Sequence, residues 1–420
     1  MAKATTPNYA AKLKAAILNA AITGKLTGGT DGWKTVKLDE LGKFQGGHTP
    51  SKLDKTLWGG DILWVSSKDM KAKYIEDTGD KITEKGAKEL GLLPPRTILM
   101  CTRSGILRRT FPVAIARKHL TINQDQKALI LTNPQMAEWV YLVLKGFESY
   151  ILLTYRKSGT TVESIIWNEF VKMEIPLPPL PVQKEIVKKV EELLRLVDIV
   201  QEGERTLAEL GSKARAKILD LAIHGKLVPQ DPNDEPVSVS STSDKPPYQI
   251  PQNWKWVKLG DVCDYGKCSN VQTAEIKADT WSLDLEDIEK DTGNLLLKVR
   301  FGSRPSKGTR HAFKKGQLLY SKLRTYLNKV LIADEAGVCT TEILPLDFNE
   351  AVLPTYARLV LMSQMALDYT ANCGYGVKMP RLGTHDGKMM LFPLPPLAEQ
   401  KRIVARVEEL LATVQNLFSA

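Results

Sequence analysis

The segment PLPPLPVQKEIVKKVEELLRL, at residues 176–196, returns as PLPPLAEQKRIVARVEELLAT at residues 393–413. The two copies align without a gap at a constant offset of 217 positions (393 minus 176). In each copy, apolar residues recur in steps of three and four, which places them on one face of an α-helix. The repeat therefore predicts two equivalent helices in one chain, each entered through a Pro-rich turn.

A second repeat joins the N-terminus to the centre of the chain. AAILNAAITGKL, at residues 15–26, resembles AKILDLAIHGKL, at residues 216–227, at an offset of 201 positions (216 minus 15). With both offsets combined, Gly203 corresponds to Ala420 (420 minus 217) and also to Ala2 (2 plus 201). The two ends of the chain together make one copy of the central segment, which predicts a duplication in circular order and a pseudo-twofold protein.

The repeated segments also carry a heptad pattern. We predict that the two helices pair as an antiparallel coiled coil that spaces two domains, and that the central helix runs from about residue 182 to 225 with a break near Gly203. Helices that simply form the core of one domain are the alternative. The predicted seam consists of Ile186, Val190, Leu193 and Val197 in the central copy and Ile403, Val407, Leu410 and Val414 in the C-terminal copy.

Two stretches of similar size lie between the helices. In both, short β-like runs alternate with runs of helical periodicity, which is typical of α+β domains. The predicted fold class is therefore α+β, with two α+β domains separated by two long helical segments in circular pseudo-twofold symmetry. The predicted boundaries are 1–27 for an N-terminal helix, 28–175 for the first domain, 176–228 for the central helical region, 229–246 for a linker or surface loop, 247–392 for the second domain and 393–420 for the C-terminal helix.

The composition restricts the class of protein. The net charge of +10, from 58 basic and 48 acidic residues, suits a polyanionic partner. The five scattered cysteines argue against a disulfide framework and for a reducing compartment, and their spacing predicts no metal site. No apolar run approaches the length of a membrane span, and the N-terminus lacks the apolar core of a signal peptide. We expect a cytoplasmic protein.

Positive charge collects at corresponding places in the two domains. Neither Asp nor Glu occurs between Leu295 and Ala333, or between Leu90 and Asp125, while Lys and Arg are frequent in both stretches. A single basic stretch is commonly just a solvated face. Two at matching positions of a duplicated chain favour contact with a phosphate backbone, and arginines there could also read guanine in the major groove.

Signals for catalysis are weak. No G-x-x-x-x-G-K-[ST] phosphate loop occurs, and NPQM, at residues 133–136, is interpreted as a turn. Glu275 and Lys277 follow Asp261 and Asp264 at a distance that a magnesium-dependent nuclease could use, so a self-contained nuclease stays open as an alternative. A structural adaptor that never binds nucleic acid is the other alternative.

Taken together, these segments resemble the specificity subunits of Type I restriction-modification systems over nearly the whole chain. The resemblance rests on both copies of the Pro-rich helical repeat and on four further motifs: AIHGKLVPQDPNDEPVS at residues 222–238, GGHTPSK at 46–52, GDILWVSSKDM at 60–70 and LLYSKLRTYLNKV at 318–330. In the second domain, WSLDLEDIEK at residues 281–290 lacks the glycine-led form of GDILWVSSKDM, which weakens the transfer of contacts between the domains.

The resemblance implies a subunit without catalytic activity. Each target-recognition domain would read one half of a split DNA target, while the helices set the separation and bind two methylation subunits. S-adenosylmethionine, ATP and magnesium would then belong to the methylation subunits and to a separate restriction and translocation subunit, with no cofactor in this chain.

Candidate DNA-contacting residues come from the shared motifs and the basic stretches. RTILMCTRSGILRRT, at residues 96–110, stands where the second domain has GQLLYSKLRTYLNKV, so the two half-targets are expected to differ. The candidates are Thr49, Ser51, Lys52, Lys68, Arg103, Arg108 and Arg109 in the first domain and Arg304, Lys307, Arg310, Lys322, Arg324 and Tyr326 in the second.

Overall fold

The computed structural model describes residues 9–158, 162–376 and 379–418. The chain divides into two compact units, an N-terminal unit over Asn8–Glu204 and a C-terminal unit that includes Arg205–Ala420. None of the helices in the described part of the chain is long and apolar enough to cross a membrane. Ala2 and Ala420, which mark the circular repeat, lie outside the described residues.

The N-terminal unit mixes short helices with short strands. Its helices are α1 (Tyr9–Ile22), α2 (Glu84–Leu90), α3 (Ala137–Gly146), α4 (Glu148–Thr154), α5 (Trp167–Phe170) and the first part of α6 (Leu180–Ile223). Its strands are β1 (Lys34–Lys37), β2 (Gly42–Gly46), β3 (Trp58–Val65), β4 (Tyr74–Ile75), β5 (Asp80–Ile82), β6 (Ile98–Cys101), β7 (Val113–Ala116), β8 (Leu120–Ile122), β9 (Gln126–Leu131), β10 (Arg156–Lys157), β11 (Ser164–Ile165) and β12 (Glu174–Leu177).

The C-terminal unit contains the rest of α6 and a similar set of elements. Its other helices are α7 (Leu259–Val262), α8 (Pro354–Leu361), α9 (Gln364–Cys373), α10 (Thr384–Met389) and α11 (Leu397–Phe418). Its strands are β13 (Lys255–Lys258), β14 (Ser269–Gln272), β15 (Trp281–Leu283), β16 (Val299–Arg300), β17 (Thr309–Phe313), β18 (Leu318–Ser321), β19 (Val330–Ile332), β20 (Gly337–Cys339), β21 (Ile343–Leu346) and β22 (Leu391–Leu394).

Strand pairing repeats from one unit to the other. β1 pairs antiparallel with β12, and β13 pairs antiparallel with β22 at equivalent positions. β3 runs parallel to β8 with Leu63 opposite Leu120, and β15 runs parallel to β20 with Trp281 opposite Gly337. In each unit the strand that precedes an arginine-bearing turn, β6 or β18, lies between two antiparallel neighbours. The α+β prediction is confirmed, and the duplication extends to the pairing of individual strands.

The helical repeats complete the two cores at corresponding positions. Ala21 and Ile22, at the end of α1, lie in the core of the N-terminal unit, and their equivalents Ala222 and Ile223, at the end of α6, lie in the core of the C-terminal unit. The start of α1 is held to α6 within the N-terminal unit, where the backbone N–H of Tyr9 donates to the Glu204 carboxylate at 2.6 Å. Each unit therefore uses one long-helix segment and one further helical segment in its core.

The first positions of each heptad seam lie in the domain cores. Ile186 and Val190 are buried in the core of the N-terminal unit, and Ile403 and Val407 are buried in that of the C-terminal unit. Heptad spacing describes one apolar helix face whatever covers it, and at these positions the face packs within the domain cores. Pairing along the rest of the seam, at Leu193, Val197, Leu410 and Val414, stays a prediction.

The central helix is continuous. α6 passes through Gly203, where a Cβ would meet no neighbouring atom, so the predicted break does not occur. At 44 residues it is about 66 Å long at 1.5 Å per residue. A lone glycine weakens a helix without ending it, because its cost of roughly 1 kcal/mol is small beside the stabilisation from the intact backbone hydrogen bonds on both sides.

The segment predicted as a linker or surface loop packs on its own unit. Asp234 accepts two hydrogen bonds from the Arg402 guanidinium, at 3.0 and 2.6 Å, and Val237 is buried in the core of the C-terminal unit. Farther along, the Tyr248 ring stacks on His224 with the ring centroids 3.7 Å apart. The surface-loop interpretation therefore describes residues 229–246 better than a free linker does.

Candidate nucleic-acid interface

The GGHTPSK motif forms an exposed loop, which we call the TPSK loop (residues 47–57). Its first residues are tied to the turn between β8 and β9, since the backbone N–H of His48 donates to the Ile122 carbonyl at 3.0 Å and the Thr49 hydroxyl bonds to the Gln124 side chain. A Cβ at Gly47 would overlap the carbonyl oxygens of Ile122 and Asn123, so only glycine allows this close approach.

The first basic stretch places a second loop on the same turn. This N-terminal arginine loop (residues 102–109) follows β6, and the backbone N–H groups of Thr102 and Arg103 donate to the Asp125 carbonyl at 2.9 and 3.2 Å. Because Gln124 and Asp125 adjoin in sequence, the TPSK loop and the N-terminal arginine loop are held side by side. Sequence reasoning missed the residues of this turn, which carry no distinctive motif.

The arginines of this loop differ in what they contact. The Arg108 guanidinium donates to Glu163 at 2.9 Å, and that carboxylate is only 5% exposed. Arg103 and Arg109 are exposed, and no acidic side chain within the described ranges pairs with either. Lys68 is likewise exposed, next to a turn closed by the Asp69 carboxylate. Arg103, Arg109 and Lys68 therefore present charge to solvent, while Arg108 is partly neutralised within the unit.

The C-terminal unit builds a corresponding loop after β18, the C-terminal arginine loop (residues 322–329). A backbone bridge joins Leu323 to Arg381 in this unit, and another joins Arg103 to Ser164 in the N-terminal unit. The two bridges are equivalent, because Leu323 follows Arg103 by 220 positions and Arg381 follows Ser164 by 217. Arg324 adopts a left-handed backbone with φ of 52° and donates its N–H to the Pro380 carbonyl at 2.7 Å. Such strain in a residue other than glycine is typical of functional loops.

The side chains of this loop vary in exposure. Tyr326 is 54% exposed at its tip, whereas Lys322 and Arg324 are half-buried at its base. Nε of Arg324 is buried without a hydrogen-bond partner among the described residues. Lys307 is exposed on a separate turn that precedes β17. A planar, partly free guanidinium and an exposed aromatic ring carried by one loop are suited to contacts with bases or phosphates.

Two of the predicted DNA-contacting arginines are engaged in contacts within their own unit. The Arg310 side chain is 6% exposed and donates to the Leu283 carbonyl at 2.9 Å and to the Asp284 carboxylate at 2.6 Å. Arg304 forms ion pairs with Asp284, Glu286 and Asp287, and the hydrogen bond to Asp287 is the main reason that its pKa is raised. Both arginines therefore brace the turn after β15 through acidic side chains of their own unit.

The second basic stretch contains no acidic residue in the sequence, but in the fold it does not stay free of acidic neighbours. Acids from outside it fold against it, since Lys298 and Arg300 both pair with Glu335, at 3.2 and 2.5 Å. The strong local excess of positive charge is therefore partly neutralised, and Lys307, Lys322 and Arg324 remain as the basic candidates there.

Two residues missed in the sequence lie beside the C-terminal arginine loop. The Arg381 guanidinium donates to Glu342 at 2.8 and 3.1 Å, and the backbone of Glu342 accepts from Lys322 at 3.0 Å. Tyr375, which is exposed, pairs through its backbone with Arg381. The 217-residue offset, applied from Ser164 to Arg381, is the signal that could have found this segment.

The residues of the alternative nuclease are engaged separately. Asp261 caps the start of α7 by accepting from the Lys258 N–H at 3.1 Å, and Asp264 pairs with Lys267 at 2.8 Å. Glu275 and Lys277 lie exposed on another segment. Over the described ranges, no group of three His, Cys, Asp or Glu side chains is arranged to hold a metal ion.

Two pseudo-equivalent α+β units, each with a basic loop after an equivalent strand, define a duplicated protein with matching basic loops. Residues 30–209 match the family model of the Type I restriction modification DNA specificity domain. Over those residues the chain is similar to the specificity subunits of Type I restriction-modification systems.

Individual relatives are similar to different parts of the chain. The EcoR124I/EcoR124II specificity subunit of Escherichia coli is 33% identical over 45% of this chain and 47% of its own length. The EcoDI specificity subunit of E. coli is 26% identical over 67% and 64%, and the MjaIX specificity subunit of Methanocaldococcus jannaschii is 29% identical over 58% and 54%. The chain thus spans about half to two thirds of the length of these curated relatives.

A solved structure extends the similarity of fold to most of the chain. A chain from a structural study of complex assembly in the type I R-M system superposes with a TM-score of 0.57, covering 92% of both chains at 19% identity. At that identity the likeness concerns the fold alone.

Proposed function

We propose that this chain is the DNA-recognition subunit of a Type I restriction-modification complex, in which each unit binds one half of a bipartite duplex target. The observation that carries this proposal is the pair of arginine loops, which follow equivalent strands and are bridged at equivalent positions, Arg103 to Ser164 and Leu323 to Arg381. Because their side chains differ, the two units would read different half-targets.

The helical segments supply the partner surfaces in this proposal. Along the middle of α6, large apolar side chains are exposed, which is costly for a free helix and suits protein docking: Leu196, Ile199, Val200, Leu207 and Leu210. Two methylation subunits would dock on the helical segments, which would also set the spacing between the half-targets. A restriction subunit would join through that assembly in the cytoplasm.

Chemistry belongs to the partners in this proposal. The chain would contribute recognition only, while S-adenosylmethionine, ATP and magnesium act in the methylation and restriction subunits. The engagement of Asp261 and Asp264 in local contacts supports recognition over a self-contained nuclease.

The test is selection of duplexes from a random library by the purified chain, together with its methylation subunits. We expect a bipartite sequence with a spacer of constant length, and the same sequence at methylated adenines in DNA from cells that express the complex. Arg103→Ala and Arg324→Ala should each weaken binding. Lys217→Ala, which removes an exposed helical charge paired with Asp220, is the matched control and should not. Selection of no common sequence would contradict the proposal.

A further inference from the structure

The tip of the TPSK loop carries an aliphatic side chain that the fold does not use. Leu53 is 95% exposed, and its neighbours Ser51, Lys52 and Asp54 are all polar. Single exposed leucines are common on proteins and by themselves indicate nothing. Leu53 differs from such leucines because it lies on the same loop as Thr49 and Lys52, which are candidate DNA contacts.

The loop holds Leu53 outward rigidly. The Trp58 indole N–H donates to the Ser51 carbonyl at 3.1 Å, and the Leu53 N–H donates to the Ser51 hydroxyl at 3.4 Å. On the other side, Asp54 accepts from the Thr56 N–H at 2.9 Å and pairs with Lys85 at 3.4 Å. Hydrogen bonds on both flanks therefore fix the backbone of the tip, and its exposure is not that of a loose chain.

The tip is also coupled to the basic surface of its unit. Thr49 bonds to Gln124, next to the Asp125 carbonyl that holds the backbone of Arg103. Leu53 and the exposed guanidinium of Arg103 thus belong to loops anchored on one turn. A duplex bound against that arginine loop would lie within reach of the TPSK loop.

Duplex DNA offers such a side chain one apolar feature on a base edge, which is the C5-methyl group of thymine in the major groove. Insertion between base pairs from the minor groove is the other known use of an aliphatic side chain. Asp54 favours the major groove. Its carboxylate accepts from the Thr56 hydroxyl, which is the main reason that its pKa is lowered, so it is ionised at neutral pH. A carboxylate beside Leu53, only partly offset by Lys85, is disfavoured in a narrow A-tract minor groove, where the negative potential is enhanced.

We propose that Leu53 is a specificity-determining residue that packs against the methyl group of a thymine in the half-target read by the N-terminal unit. This inference rests on the proposed function, because it requires that the unit bind duplex DNA. It adds the identity of one base and the chemical group by which that base is recognised.

The test compares the full chain with its Leu53→Ala variant, each with its methylation subunits, on the selected target. In a series of duplexes, one thymine at a time is replaced by deoxyuridine, which removes only the methyl group. At one position we expect the wild type to lose about fourfold in affinity, the effect of one buried methyl group. Leu53→Ala should bind the thymine duplex more weakly and show no further loss with deoxyuridine. Leu153→Ala, at an exposed leucine on α4, is the control and should retain the wild-type response.

Three outcomes would overturn the inference. If Leu53→Ala and wild type respond equally at every thymine, Leu53 does not contact a methyl group. If Leu53→Ala weakens binding while no deoxyuridine duplex does, the side chain acts otherwise, as a wedge between bases would. If the selected half-target contains no thymine, the proposed contact cannot form. Failure of the chain to select any duplex would instead contradict the proposed function itself.

Discussion

Trp139 and Tyr356 make the same hydrogen bond in the two halves of the chain. The Trp139 indole N–H donates to the Pro176 carbonyl at 3.0 Å, and the Tyr356 hydroxyl donates to the Pro393 carbonyl at 2.9 Å. Each pair is separated by 37 residues, and each joins a domain helix to the strand that leads into the Pro-rich repeat. The duplication has thus kept a buried contact while changing the side chain that makes it.

The hydrogen bond of Tyr356 predicts a measurable contribution to the stability of the chain. Tyr356→Phe removes only the hydroxyl and leaves the buried Pro393 carbonyl without that donor, so we expect a loss of about 1 kcal/mol in the free energy of unfolding. Denaturant titration measures it. Tyr326→Phe, at an exposed tyrosine, should leave the free energy of unfolding unchanged. Equal stability of the two variants would show that the Tyr356 bond is unimportant.

Substitution of Arg103 should affect DNA binding, whereas substitution of Arg310 should affect the stability of the fold. We expect Arg103→Ala to leave the unfolding transition unchanged and to reduce the salt dependence of DNA affinity by about one unit of log–log slope, because in the proposed complex its exposed guanidinium would contact a phosphate. Arg310→Ala should lower stability by about 2 kcal/mol, because a charged hydrogen bond to Asp284 is lost, with the salt slope unchanged. The reverse pattern in salt titrations of DNA binding would contradict this assignment.

Gly47 and Gly203 should respond oppositely to alanine. Gly47→Ala places a methyl group against backbone carbonyls of the β8–β9 turn, so we expect a loss of about 1–3 kcal/mol together with weaker DNA binding. Gly203→Ala fills open space in the middle of α6 and should stabilise the chain by up to about 1 kcal/mol. Thermal unfolding of the two variants provides the comparison, and a destabilising Gly203→Ala would argue against a continuous helix.

His311 should make the C-terminal unit sensitive to mild acid. Burial lowers the pKa of its imidazole, and nearby Lys322 lowers it further, although a 2.9 Å hydrogen bond to the Ile343 carbonyl acts in the opposite direction. The unfolded chain therefore binds more protons near its ordinary pKa of about 6.5, so stability falls as the pH drops below that value. We expect His311→Gln to flatten this dependence in urea titrations between pH 7.5 and 5. An unchanged dependence in the variant would assign it to other groups.

The repeats predicted the architecture because duplication preserves core positions. Ala222 and Ile223 could be placed with Ala21 and Ile22 from the 201-residue offset alone, and the structure buries both pairs. What covers a helix face is not visible in its periodicity, so the heptad pattern alone does not reveal that Ile186 and Ile403 contribute to domain cores.

Charge was harder to interpret from the sequence. The acid-free stretch around Arg310 predicted a binding surface, but its partner Asp284 lies 26 residues away and reaches it only through the fold. Arg103 and Leu53 illustrate the converse, because their exposure depends on loop anchoring at Gln124 and Asp125, which local sequence does not reveal. Ion pairs between distant segments and the orientation of loop tips both require tertiary structure.

Because each unit is almost continuous in sequence, recombination within the gene can exchange one unit as a whole. Each unit is a nearly uninterrupted stretch of sequence, and the boundary at residues 204 and 205 falls in a part of α6 where the side chains of residues 198–210 are almost all exposed. A single crossover between related genes within those codons would exchange one entire unit and leave both hydrophobic cores intact. Under the proposed function, new pairings of half-targets would then arise by recombination in one step, without any substitution inside either unit.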